Sequence, residues 1–343
     1  MKNKIIVTGG CGYIGSHTVV ELINNNYEVV IFDDLSNSSL NILNQIALIT
    51  NVKPDFIDVD LKNEEKTNKA FLKHKDAKVV IHFAAHKAVG ESVSNPIKYY
   101  KNNLYSLINT LNAQIENNIL GFVFSSSATV YGTPDSLPAT EKSKTKRPLS
   151  SYGNSKKIAE EILEDLVKSN KNFNTINLRY FNPIGAHKSG LIGELPSGIP
   201  NNLLPFITQT AAGLREKLMV FGNDYDTKDG TPVRDYIHVV DLAKAHVLAV
   251  SRIINNKQEN SLETYNLGTG NGFSVLEVIQ CFEEVTNTKL NYEITRRREG
   301  DIAELYANAD LAKEKLGWKA EKNLKEMISS SWKWQQNLEK KKP

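Results

Sequence analysis

The chain has 343 residues with a formal net charge of +3, enough length to bury one large domain or two and too little charge bias to suggest nucleic acid as a partner. Two cysteines, Cys11 and Cys281, make no disulfide framework, and no Cys/His cluster has metal-ligand spacing, so no metal is expected. No apolar run reaches the ~18 residues of a membrane span, and the N-terminal run is too short for a signal peptide core, which makes a cytoplasmic enzyme the expectation. The Lys340-Lys341-Lys342 end reads as a solvated terminus.

The first half alternates strand-like and helix-like segments. Candidate strands are Ile5–Val7, Val29–Phe32, Asp55–Ile57, Val79–Phe83, Phe122–Ser125 and Thr175–Leu178. Helical patterns lie between them at Ile14–Asn25, Leu40–Ile49, Glu64–His74, Ile97–Asn117 and Tyr152–Ser169. Such alternation predicts an α/β fold, a parallel sheet with helices on both faces. Beyond Asn182 the character changes. Asn182-Pro183 and Gly190–Pro200 read as loop, and helices are expected at Leu203–Gly213, at Asp241–Arg252 with Asp241 as N-cap, after the capping box Ser274–Glu277, and at Leu324–Leu338. The expected division is 1–181 and 182–343, with parts of 236–268 packing back on the first domain.

Thr8-Gly9-Gly10-Cys11-Gly12-Tyr13-Ile14-Gly15-Ser16 links the first strand to the first helix. Gly9, Gly12 and Gly15 permit a tight turn and close backbone approach, and the helix amides face negative charge. This is the pyrophosphate corner of a Rossmann-like, doubly wound sheet. Asp33 follows the second strand about twenty residues on, where a carboxylate accepts from a ribose 2′-hydroxyl and repels a 2′-phosphate; NAD is therefore favoured over NADP. Asp60 and Phe83-Ala84-Ala85 sit at further strand C-termini, where ligands bind in open α/β sheets.

Ser125-Ser126-Ser127 ends a strand, and Tyr152 and Lys156 share one helix face at i,i+4. A tyrosine can serve as a base at neutral pH only beside positive charge, which Lys156 and an oxidised nicotinamide ring could supply. A serine hydroxyl could relay the proton.

These motifs, with Ser125–Gly132, resemble the extended short-chain dehydrogenase/reductase family. The stretches His82–Ser92, Arg179–His187, Gly198–Leu203, Gly222–Tyr225, Val233–Val239 and Arg297–Asp301 are similar to the branch that epimerises UDP-linked hexoses. The resemblance implies interconversion of UDP-galactose and UDP-glucose through a 4-keto sugar, on an NAD kept and recycled in place, in a homodimer. It implies Tyr152, Lys156 and Ser127 as the catalytic set. On the cofactor side it adds Tyr13, Ile14, Asp34, Asn37, Leu61, Lys87, Asn102, Tyr180 and Phe181. For the UDP-sugar it implies Asn182, Asn202, Leu203, Phe221, Arg234, Tyr236, Arg298, Asp301 and Leu305, alongside Ser127 and Tyr152.

Three departures from the branch stand out. Cys11 replaces a serine or alanine, Ala85-His86 replaces Gly-Leu, and Leu305 stands where tyrosine restricts sugar size, which implies added activity on UDP-N-acetylhexosamines. The alternative on this scaffold is a nucleotide-sugar 4,6-dehydratase or decarboxylase. A dehydratase needs acidic groups after the serine, and Ala128 and Thr129 cannot move those protons. A catalytically silent NAD-sensing protein is a second alternative, against which the Tyr152/Lys156 pair argues.

Overall fold

The computed structural model describes residues 2–298 and 301–340; Glu299 and Gly300 of the Arg297–Asp301 motif and Lys341-Lys342 of the tail lie outside them. In the first lobe the strands are β1 (Lys4–Thr8), β2 (Glu28–Asp33), β3 (Asp55–Asp58), β4 (Val79–His82), β5 (Gly121–Ser127) and β6 (Asn174–Tyr180). The helices between them are α1 (Tyr13–Asn24), α2 (Asn41–Thr50), α3 (Glu64–Lys73), α4 (Val89–Ser94), α5 (Pro96–Glu116) and α6 (Ser151–Ser169). There follow β7 (Asn182–Ile184), α7 (Leu203–Ala211), β8 (Leu218–Phe221), β9 (Val233–His238), α8 (Val239–Ile254), β10 (Leu262–Leu267), β11 (Gly272–Ser274), α9 (Val275–Thr286), β12 (Tyr292–Thr295), β13 (Glu304–Leu305), α10 (Asp310–Leu316) and α11 (Leu324–Lys340).

Seven parallel strands form the main sheet in the order β10-β6-β5-β4-β1-β2-β3. Side-chain alternation explains the double cover. Ile5, Val7 and Val123 face one core with α1, α2, α8 and α10, while Ile6, Phe122 and Phe124 face the other with α3, α5 and α6. The order reverses between β1 and β4, so their C-terminal ends open a crevice where a ligand can enter. The second lobe is smaller and mixed. Its β9 pairs antiparallel with β11 and parallel with β7 and β13, and β8 pairs with β12. Its own core holds Ile184, Leu204, Tyr236, Phe282 and Ile328.

The structure corrects three local expectations. Asn182-Pro183 is strand rather than loop, because β7 finds a partner in β9. Neither β9 nor β10 stands out in the sequence, yet β10 is the edge strand of the main sheet and α8 packs on α1. Asp241 does not cap α8. His238 does, its Nδ1 accepting from Val240 N at 3.0 Å, since β9 runs into the helix without a loop. Asp241 instead is buried and accepts from the amides of Glu321 and Lys322.

Candidate active site

The glycine turn closes the crevice at the strand reversal. Gly9 has φ +68°, and a Cβ there would stand 2.8 Å from Ala84 N, so turn and β4 end meet backbone to backbone. A Cβ on Gly15 would lie 2.2 Å from Gly9 O, so only glycine lets α1 start this close to the turn. Gly12 is the N-cap and has no side chain with which to cover the α1 amides, leaving them open to an anion. Asp33, nearly buried at the end of β2, accepts from Cys11 N and Leu35 N, both at 2.9 Å, and from Ser38 Oγ at 3.0 Å. Burial raises its pKa and those donors oppose the rise. With three acceptor positions engaged, one remains for a ribose hydroxyl.

The remaining cofactor-side residues frame the same edge. Asp34 and Asn37 are exposed on the loop after β2, where Asp34 accepts from Ser36 N at 3.0 Å. Asp60 caps its own turn through Lys62 N, Leu61 is buried, and Asn102 accepts from Lys62 Nζ at 3.2 Å. Ile14 packs against the first core. Tyr13 differs from a simple ligand contact: its hydroxyl donates across to Gly185 O at 2.6 Å, tying the glycine turn to the second lobe and leaving its backbone to face the crevice. Phe83 is half-buried against His246, ring centroids 4.7 Å apart. Sequence reading alone passes over Asn103. Its carboxamide accepts from His86 N at 2.8 Å and donates to Ser155 Oγ at 2.9 Å, binding the Ala85-His86 loop to α6. The sequence offers only an asparagine inside a helical pattern, one of several there; its burial is seen only in the structure.

The three serines that end β5 divide by the pleat. Ser125 Oγ is hydrogen-bonded to the Tyr180 hydroxyl. Ser126 points the other way and donates to Glu160 Oε1 at 2.5 Å, which also takes Arg179 Nε at 2.9 Å. Arg179 Nη2 reaches Glu160 Oε2 at 2.6 Å, so the pair is two-pronged and buried. Ser127, at the strand tip, accepts from Thr129 N at 3.2 Å and from Thr129 Oγ1 at 3.0 Å, and its hydroxyl lies close enough to Tyr152 to favour the phenolate. Ser150 caps α6 by accepting from Gly153 N, which sets Tyr152 in the first turn.

Lys156 is buried one turn on, its Nζ donating to Ser125 O at 2.7 Å and lying 6.0 Å from the Tyr152 ring centroid. Burial pushes Tyr152 up to about 12, opposed by the nearby Ser127 hydroxyl. It pushes Lys156 down to about 7, opposed by the Glu160 charge. Without further positive charge, the phenol keeps its proton.

The second lobe faces this edge. Asn182 is half-buried on β7, and Phe181 packs with Ala128 and Leu305 in an apolar wall beside Ser127. Asn202 is the N-cap residue of α7 but makes no capping bond, so the amides at Leu203 stay open. Phe221 is 43% exposed at the tip of β8. Arg234 is not a free phosphate fork. It pairs with Asp301 and donates to Val233 O at 2.7 Å and Ile302 O at 2.8 Å, holding the 301–303 turn. The Tyr236 ring is buried in the second core. Arg298 reaches back to the first lobe, its Nη2 lying 2.9 Å from where a Cβ on Gly90 would be. Arg297 instead stacks on Tyr225 and pairs with Asp224.

A dinucleotide crevice with a Tyr/Lys/Ser set at its edge, opposed by a lobe with an open helix N-terminus and arginines, defines an NAD-dependent epimerase or dehydratase of the extended short-chain class. Comparison with known proteins narrows this. The family described as GDP-mannose 4,6 dehydratase matches residues 6–331. The UDP-glucose 4-epimerase of Bacillus subtilis is 50% identical over 334 residues, and that of Drosophila melanogaster 49% over 337, each match covering 96% of both chains. The crystal structure of UDP-glucose 4-epimerase from Bifidobacterium longum in complex with NAD+ and UDP superposes with a TM-score of 0.94 at 46% identity, covering 98% of each chain. The chain belongs to the UDP-glucose 4-epimerase family. Ala128 is buried and Thr129 donates to Ser127 Oγ at 3.0 Å, so neither of the two side chains after the serine supplies an acid or base for water elimination.

Proposed function

We propose that this NAD-dependent UDP-glucose 4-epimerase works through Tyr152, Ser127 and Lys156, with the glycine turn and Asp33 holding the cofactor and the α7 end with Arg298 holding UDP. The observation that carries this is that β1, β4 and β5, parallel neighbours, end on one edge of the sheet, which brings together the Gly9–Ala84 contact, Ser127 and, through the Lys156–Ser125 bond, the helix face of Tyr152 and Lys156. Bound there, NAD would supply the hydride acceptor and donor for sugar C4, allowing passage through a 4-keto sugar. The chain's groups handle the proton. Tyr152 takes it from the 4-hydroxyl as a phenolate, with Ser127 bridging, and returns it after the sugar turns over. A phenol at about 12 becomes a base only when cationic charge is brought beside it, which a bound cationic ring and protonated Lys156 together provide. Because the sugar has to turn over, the firm grip belongs on UDP: Asn202, Leu203, Arg298 and Phe221 around the nucleotide, Asn182 and Asp301 toward the sugar and ribose, and Arg234 acting by shaping the 301–303 turn.

The test is to mix the purified protein, with no added NAD, with UDP-galactose. UDP-glucose should form with no net NADH. A steady need for added NAD would overturn the recycling reading.

Three finer readings go with it. Leu305, buried beside Phe181 and Ala128, is smaller than the tyrosine that restricts sugar size at this point of the family, which supports UDP-N-acetylgalactosamine as a further substrate. Leu305→Tyr should lose that activity and keep UDP-galactose turnover; wild-type protein inert toward the N-acetyl sugar would refute it. A homodimer is supported by the exposed Ile97, Tyr105 and Ile108 of α5, with Val93 beside them on α4. A monomer mass by light scattering would overturn it. A cytoplasmic location fits the absence, among the described residues, of any helix long and apolar enough to cross a membrane.

A further inference from the structure

We infer that Glu194 is a positioning residue that keeps the UDP-binding end of α7 open, an inference that rests on the role proposed above for Asn202. One carboxylate oxygen, Oε1, accepts from Lys87 Nζ at 2.6 Å and from Asn202 Nδ2 at 2.7 Å. Lys87 comes from the loop after β4 in the cofactor lobe, and Asn202 begins α7 in the UDP lobe. The Glu194 side chain is 10% exposed. Its backbone is fixed to α11, since Trp334 Nε1 donates to Glu194 O and Asn337 Nδ2 to Gly190 O, both at 3.0 Å. Gly193 lets the indole in, because a Cβ there would stand 2.5 Å from it.

Asparagine is among the strongest helix N-caps, and its side chain ordinarily folds back onto the first amides. At Asn202 that capping bond is missing, and the amide instead donates to Glu194. A charge-assisted bond to a carboxylate is strong enough to set the orientation of the whole carboxamide. A cap would use Asn202 Oδ1, and since Pro205 has no N–H only Leu204 N could donate to it; by holding Nδ2, Glu194 fixes the carboxamide plane with Oδ1 off that amide, leaving the α7 amides for a phosphate. Lys87, paired to the same oxygen, neutralises the carboxylate that would otherwise repel the diphosphate. Without Glu194, Asn202 closes onto α7 and competes with UDP.

Titration calorimetry of the NAD-loaded enzyme with UDP tests this. Glu194→Ala should weaken UDP about 10-fold, Asn202→Ala should do likewise, and the double variant should be no weaker than either alone. Glu194→Asp, which keeps the charge but shortens the reach, should weaken UDP about 3-fold and guards against a misfolded alanine variant. A double variant weakened by the product of the single effects, or a Glu194→Asp protein that binds UDP as the wild type does, overturns the inference while leaving the Asn202 role intact. An Asn202→Ala protein with unchanged UDP affinity overturns both.

Discussion

The two lobes make their ligand surfaces from different materials. The cofactor lobe uses backbone: Gly9 pressed against Ala84, the bare α1 amides after Gly12, and the C-terminal ends of parallel strands. The second lobe, proposed to hold UDP, uses side chains that hold one another in place, Arg234 on Asp301 and Asn202 on Glu194, over sequence separations of 67 and 8 residues. A backbone site exists as soon as the sheet forms, whereas the Arg234–Asp301 part of the side-chain site exists only when β9 and β13 have paired. The first should therefore fail together with the fold, and the second should fail alone.

Four experiments press on that contrast. Tyr152→Phe, at the seam between the lobes, should lower kcat about 10³-fold with NAD content and UDP affinity unchanged. A loss of either ligand would mean the tyrosine is structural.

Acid should act mainly on the cofactor lobe, which buries three neutral histidines. Burial lowers His17 and His82 to about 3 and His246 to about 4, against an unfolded value of 6.5; His238 at the α8 cap is also lowered to about 4. The unfolded chain binds protons below pH 6.5 and the folded one does not. The stabilisation is complete above that value and declines as pH falls toward 4, by roughly 1.4 kcal/mol per histidine per pH unit. Denaturant unfolding followed at pH 7.5, 6 and 5 would show it, and stability that stays level over that range would refute it.

Gly9→Ala forces a side chain onto φ +68° and into β4 backbone, so it should cost about 1–3 kcal/mol and strip NAD together. A variant with full NAD and an unchanged Tm would break the backbone half of the comparison. Smallest, Asp301→Asn frees Arg234 and should raise KM for UDP-galactose about 10-fold while NAD content stays full. If NAD fell as well, the lobes would not be separable.

What could be read in the sequence follows the same division. The glycine turn, Asp33 and the Tyr152/Lys156 spacing are local patterns, and the structure brings them to one edge. Leu262-Glu-Thr-Tyr-Asn-Leu267 carries too little apolar alternation to announce β10, which is a strand because β6 offers it an edge. Arg234 is legible as a phosphate fork by residue type, and only the paired β9 and β13 show that Asp301 and the 302–303 carbonyls occupy it. Glu194 and Asn103 act through partners that no spacing rule connects to them. The capping box at Ser274–Glu277 was readable because both halves lie within one turn.

The serine triplet ending β5 has a consequence for how this enzyme tolerates change. Read as letters, the three serines are interchangeable, and a shift of one residue would leave the string nearly intact. Their partners are not interchangeable: Tyr180, Glu160 and Thr129 each need a serine on a given side. Nothing in the polar residues themselves protects that assignment. It is protected upstream, where Phe122 and Phe124 fit one core and Val123 the other, so a slip would drive two aromatic rings into a space shaped for a valine. The fidelity of the catalytic end is thus enforced by three apolar residues that never touch a ligand. A single-residue insertion near Gly121 should be as damaging to turnover as the loss of Ser127 itself.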